Sequence, residues 1–141
     1  MGNYANLQRG ERYVVGTGGI VKGRFVKLGS GGDAGKVIAC TAAGDADVAI
    51  GVAQETVEEG DSAFIPTFGP TDVECADATI AKLDALTINA SGQVTKQLAG
   101  GAQVTETVGF ALEVGTAIVS SRATYIKIEL ALLPRIPLDG A

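Results

Sequence analysis

The chain has 141 residues, 20 of them Gly and none His; 46% are hydrophobic, only 5% aromatic, and the net charge is −5. The length suits one domain with its own core. Without His there is no Ser-His-Asp or Cys-His catalysis and no His-bearing zinc site, and two Cys are too few for a Cys₄ site. The acidic balance argues against nucleic acid as a partner, and no apolar run approaches the roughly 18 residues that mark a membrane span.

Residues 1–19 read as an extended N-terminal arm. The first seven residues show neither a basic n-region nor an apolar h-region, so no signal peptide is expected. The arm carries Tyr4, Leu7, Arg9, Arg12 and Tyr13, and Gly16-Thr17-Gly18-Gly19 reads as a flexible joint behind it. Aromatic and basic residues on such an arm are candidates for contact with a partner or a neighbouring copy. The glycines do not make a phosphate loop, because no strong strand precedes them, no helix follows, and the Lys-Ser/Thr pair is missing.

Residues 20–133 read as a β domain. Short runs rich in β-formers cover Arg24–Leu28, Val37–Cys40, Val48–Gln54, Ser62–Phe68, Thr71–Cys75, Leu86–Asn89 and Thr105–Val114. Turn residues separate them at Gly29–Asp33, Ala43–Asp45, Glu58–Asp61, Phe68-Gly69-Pro70, Ala90-Ser91-Gly92 and Ala99-Gly100-Gly101. Asp77–Leu83 reads as about one helical turn with Asp77 as its cap. In Thr124-Tyr125-Ile126-Lys127-Ile128-Glu129-Leu130 the apolar residues alternate with polar ones, the pattern of a half-buried strand. Many short strands with Gly-rich turns predict a small all-β barrel or sandwich.

Charge divides the chain. Residues 1–36 carry a net +4, residues 37–79 carry −9 with no Lys or Arg, and residues 80–141 balance. A basic segment and an acidic one are expected to attract each other within a subunit or between neighbours. Glu58, Glu59 and Asp61 form the densest acidic turn. With Pro134 and Ile136 of the apolar, Pro-bearing tail 134–141, they are candidates for contact between subunits. The acidic turns hold oxygen donors but no EF-hand spacing, so no metal or other cofactor is expected. Cys40 and Cys75, in apolar surroundings, read as buried reduced thiols. The absence of Trp leaves sugar binding without its usual aromatic platform, and no residue set supports an enzyme.

The sequence also repeats weakly. Ile20-Val21-Lys22 … Val26-Lys27-Leu28 returns as Ile80-Ala81-Lys82 … Leu86-Thr87-Ile88. Ile50-Gly51-Val52-Ala53-Gln54-Glu55 returns as Val108-Gly109-Phe110-Ala111-Leu112-Glu113. Two pseudo-equivalent β units, 20–68 and 80–130, are expected to pack into one core. Gly inside these strands points to a bulge or a close backbone approach.

The segments 21–28 (Val-Lys-Gly-Arg-Phe-Val-Lys-Leu), 49–55 (Ala-Ile-Gly-Val-Ala-Gln-Glu), the acidic turn 56–61, 90–94 (Ala-Ser-Gly-Gln-Val) and 108–113, taken in this order, resemble the decoration, or cement, proteins of tailed-bacteriophage heads. The resemblance spans about residues 20–132. It implies a β-tulip-like barrel, no catalysis, and a homotrimer on the outer face of the capsid at three-fold and quasi-three-fold positions. There the trimer would clamp neighbouring copies of the major capsid protein and stabilise the expanded head. Synthesis in the host cytoplasm is expected with it, and the charge balance and the lack of a long apolar run leave neither nucleic acid nor membrane as an expected partner. A head-fibre base, a tail component or, further off, a ligand-binding β-barrel are the other readings.

Overall fold

The alternation over 124–130 is realised in a computed structural model as a strand, Tyr125–Ala131, whose Ile126, Ile128 and Leu130 are buried. The structure describes residues 9–97, 107–115 and 124–132. Tyr4, Leu7, Pro134 and Ile136 lie outside them. In chain order the strands are β1 (Arg9–Val14), β2 (Phe25–Leu28), β3 (Val37–Ala39), β4 (Ala49–Val52), β5 (Ser62–Glu74), β6 (Ala85–Ile88), β7 (Val94–Lys96), β8 (Gly109–Ala111) and β9 (Tyr125–Ala131). One sheet has the order β1-β5-β9-β8-β6-β7, the other β3-β2-β4, and every named pairing is antiparallel. The chain is all-β. Among the described residues the sheets remain open rather than closing into a barrel, because the apolar faces are covered by stacking one unit on another.

The stacking rests on a duplication. Strand β2 pairs with β3 and β4, and sixty residues later β6 pairs with β7 and β8. The loop hydrogen bonds recur with it. Gly23 donates to the Ala53 carbonyl as Leu83 does to Ala111, and Cys40 donates to Phe25 as Gln97 does to Ala85. Gly16 to Val37 likewise recurs as Ala76 to Val94. The parallel bridge Val15–Val37 recurs as Cys75–Val94.

These correspondences extend the like units to 9–68 and 69–131. They also account for β5, which the sequence divides at Gly69-Pro70. It is one strand of 13 residues. Its first half pairs with β1 and closes the first unit; its second half pairs with β9 and opens the second. Gly69 supplies the positive φ of 97° that bends the strand between partners. The local Gly-Pro signal therefore marks a change of partner rather than a turn.

Two core clusters follow. One is Val15, Ile20, Val26, Val37, Ala53, Ala63 and Ile65. Every member has its counterpart in the other cluster: Cys75, Ile80, Leu86, Val94, Ala111, Ile126 and Ile128. The second cluster also takes in Phe25, Cys40, Ala49 and Val52 of the first unit, so it holds the contact between units. Asp77–Leu83 forms turns, not a helical turn. The Asp77 carboxylate accepts from the Thr79 amide (2.8 Å) and, from across the unit, the Lys96 amide (3.0 Å), which ties this segment to β7 instead of starting a helix.

Candidate interaction surface

The glycines at 16–19, read as flexible, are held from several sides. The Thr17 amide and hydroxyl both donate to Asp33 Oδ1 at 3.1 Å, and the Gly18 amide donates to Glu59 Oε1 at 3.3 Å. Gly16 donates to the Val37 carbonyl at 2.8 Å. The segment is a tied turn between β1 and the body. Composition misses this because the partners are distant acids.

The candidate arm residues that are described sit on or beside the edge strand β1, which pairs with this chain's own β5. Arg9 and Arg12 are exposed, and Arg12 Nη2 donates to Ser62 Oγ at 3.3 Å. Tyr13 is half-buried against the first core cluster. Its hydroxyl is pushed above the usual phenol range by burial, with Glu11 adding to the effect.

The acidic candidates Glu58, Glu59 and Asp61 are exposed on one turn. Glu58 and Asp61, with Glu55, Thr56, Val57 and Ser62, line an open groove of about 600 Å³. Among the described residues no three acidic or thiol side chains come together to hold a metal ion. The groove presents charge to solvent and encloses nothing.

Opposite charges do meet within the chain. Arg24 Nε pairs with Glu74 at 2.7 Å, and Glu74 is only 4% exposed. Lys27 pairs with Asp45 at 2.9 Å. Burial works against the Asp45 carboxylate. The Lys27 ammonium and the Thr41 and Ala42 amides outweigh it and hold Asp45 below its ordinary value.

Cys40 and Cys75 are both buried and free. Burial, aided by Asp45, pushes the Cys40 thiol up to about 12, which makes it a poor nucleophile.

One surface carries signals that the sequence reading overlooked, the ends of the two repeat units. In the first unit, Gly23 has φ +83° and lies under the second unit: a Cβ there would stand 2.4 Å from the Tyr125 ring. The Gly23 carbonyl accepts from Glu74, and Phe25 donates to the Gly92 carbonyl at 3.0 Å. Lys22 Nζ lies 5.4 Å from the centre of the Tyr125 ring. In the second unit the place of Gly23 is taken by Leu83. It has φ +72°, the one positive value on a non-Gly residue among those described, and is 75% exposed. Aligning residue 23 with residue 83 in the sequence would have exposed this exchange of Gly for an apolar side chain.

The fold thus belongs to a class of duplicated, open-sheet β proteins, and its acidic groove lies open to solvent. No family model matches the chain, and no curated protein matches it in sequence. Among solved structures it is similar to the head fiber gp8.5 N base of bacteriophage phi29. The TM-score is 0.64, covering 89% of this chain and 96% of that one, at 14% identity. At that identity the likeness is one of fold.

Proposed function

We propose that the protein is a structural component of a tailed-phage head, borne on the outer capsid surface. The observation that carries this reading is the match of nearly the whole fold to a phage head-fibre base. The surface chemistry agrees with it: charged turns, a tied edge strand and exposed apolar residues provide contact rather than catalysis.

In this reading the chain is a cement protein. Three copies associate at three-fold and quasi-three-fold positions, contact the major capsid protein and stabilise the expanded head by binding the assembled lattice in preference to its parts. Several weak contacts per oligomer act together through effective concentration. The N-terminal arm, with Tyr4, Leu7, Arg9, Arg12 and the exposed part of Tyr13, provides the contact with the capsid or a neighbour. The Glu58–Asp61 turn, with Pro134 and Ile136, serves contacts between subunits.

A second reading, the base of a head fibre, is favoured by the identity of the fold neighbour itself. Heating purified heads with and without added protein separates the two. A cement protein raises the temperature at which heads rupture. A fibre base binds the heads and leaves that temperature unchanged. Removal of residues 1–8, which spares β1 and the buried Val15, is expected to abolish binding to heads; binding that survives the deletion rules out Tyr4 and Leu7 as the contact and leaves Arg9, Arg12 and Tyr13 to be tested by substitution.

A further inference from the structure

Each chain contains one contact between like units, and the matching faces at the two ends of the pair stand open. In the contact, the first unit offers Gly23, Phe25 and Val52, where Phe25 and Val52 are register partners on β2 and β4. The second unit receives them with the buried residues Glu74, Ile88 and Gly92 and with the Tyr125 ring.

The residues equivalent to the first set are Leu83, Ala85 and Phe110. Ala85 and Phe110 are again register partners, on β6 and β8. Leu83 and Phe110 are exposed, at 75% and 42%. The residues equivalent to the receiving set are Val14, Leu28, Gly35 and Ser62. Val14 and Leu28 are exposed, at 44% and 49%, and a Cβ on Gly35 would meet nothing within 4 Å. Four of the large apolar side chains exposed on the molecule thus fall on the two faces that the duplication leaves without a partner.

We infer that these faces join copies of this chain head to tail: Leu83 and Phe110 of one copy pack on Val14 and Leu28 of the next. The joint between copies repeats the joint within the chain. The argument rests on continuity with that internal contact, whose buried positions recur as exposed apolar ones.

Where the internal joint pairs Arg24 with Glu74, the outer faces carry Asp84, paired with Lys96 of its own unit at 3.4 Å, and Val14, so apolar side chains and not an ion pair form the outer joint. Leu83 supports it from a different side. Leucine is held in a conformation that suits glycine, which marks a position kept for its side chain rather than for its backbone. Such an interface is heterologous, and closes into a ring when its rotation divides the circle. Three copies give six like units.

The inference deepens the self-association proposed above and rests on that reading for its setting. Cysteine variants of the intact protein test it. Leu83→Cys and Val14→Cys are expected to stay free of disulfide dimers when each is oxidised alone, and to give a mixed disulfide dimer when combined. Phe110→Asp is expected to lower the mass in sedimentation to that of a single chain while the melting curve keeps one transition.

Disulfide formation by either variant alone, an oligomer that survives Phe110→Asp, or a wild-type protein that is a single chain at every concentration each overturns the inference. Binding of wild-type protein to heads, measured alongside, separates the two claims. A single chain that binds heads leaves the virion reading intact without this interface. A head-to-tail oligomer that ignores heads does the reverse.

Discussion

Glu74 illustrates how individual side chains hold the units together. Its carboxylate is buried, and Arg24 supplies its charge partner at 2.7 Å. Removing the guanidinium leaves a buried charge with less compensation, so Arg24→Ala is expected to destabilise the protein by about 2 kcal/mol. Arg24→Lys should restore part of this. A denaturant midpoint unchanged in Arg24→Ala would show that the pair contributes nothing net.

Three aspartates set the acid limb of stability. Asp77 is held low first by the Thr79 hydroxyl and then by the Lys96 amide, Asp84 by the Ala81 amide, and Asp45 by Lys27 and two amides against the opposing effect of burial. Folded values below the ordinary 3.8 mean that the unfolded chain binds protons first on acidification. The stability these groups contribute is complete above that value and is lost as pH falls through their lower folded values. The melting temperature should therefore drop below about pH 4, and Asp77→Asn should flatten the drop. A melting temperature that rises on acidification in that range contradicts the assignment.

At the scale of elements, the close approach of strands depends on glycines inside them. Gly109 on β8 faces β9, and a Cβ would stand 2.4 Å from the Glu129 carbonyl oxygen. Its counterpart Gly51 meets the Pro66 carbonyl at the same distance. Gly109→Ala or Gly51→Ala is expected to cost about 1–3 kcal/mol through forced separation of backbones, read as a lower thermal midpoint; an unchanged midpoint in both would disprove the close packing. Leu83→Gly is expected to relieve left-handed strain and stabilise a single chain by about 1 kcal/mol, measured at a concentration where copies do not associate.

Strand identity was largely legible in the sequence, because alternation and turn residues act locally: the runs at 24–28, 37–40, 62–68, 71–75, 86–89 and 124–130 all contain strand residues. What was not legible depended on distant partners. β1 lacks a local apolar pattern and becomes a strand by pairing with β5. β5 continues through Gly69-Pro70 because β9 takes over from β1. Asp77 is drawn to the Lys96 amide instead of capping a helix. The acidic turn was read from its composition, whereas the surface around Leu83 required comparison of one unit with the other.

For the whole molecule, the duplication explains why a chain with 20 Gly and few aromatics builds an ordered body. Seven apolar positions of one core cluster recur in the other, and the second cluster also takes in first-unit residues, among them Phe25, Cys40, Ala49 and Val52, that join the units. A body made of repeated small β units tied at its turns suits the proposed role of a protein present in many copies on a regular surface.

The regular surface we propose is that of a phage head, and image reconstruction of virions decides it. Particles assembled with the protein are predicted to show added density of its size on the outer face of the head at three-fold and quasi-three-fold positions, absent from particles assembled without it. Heads that look the same in both preparations, or added density confined to the tail, would contradict the account.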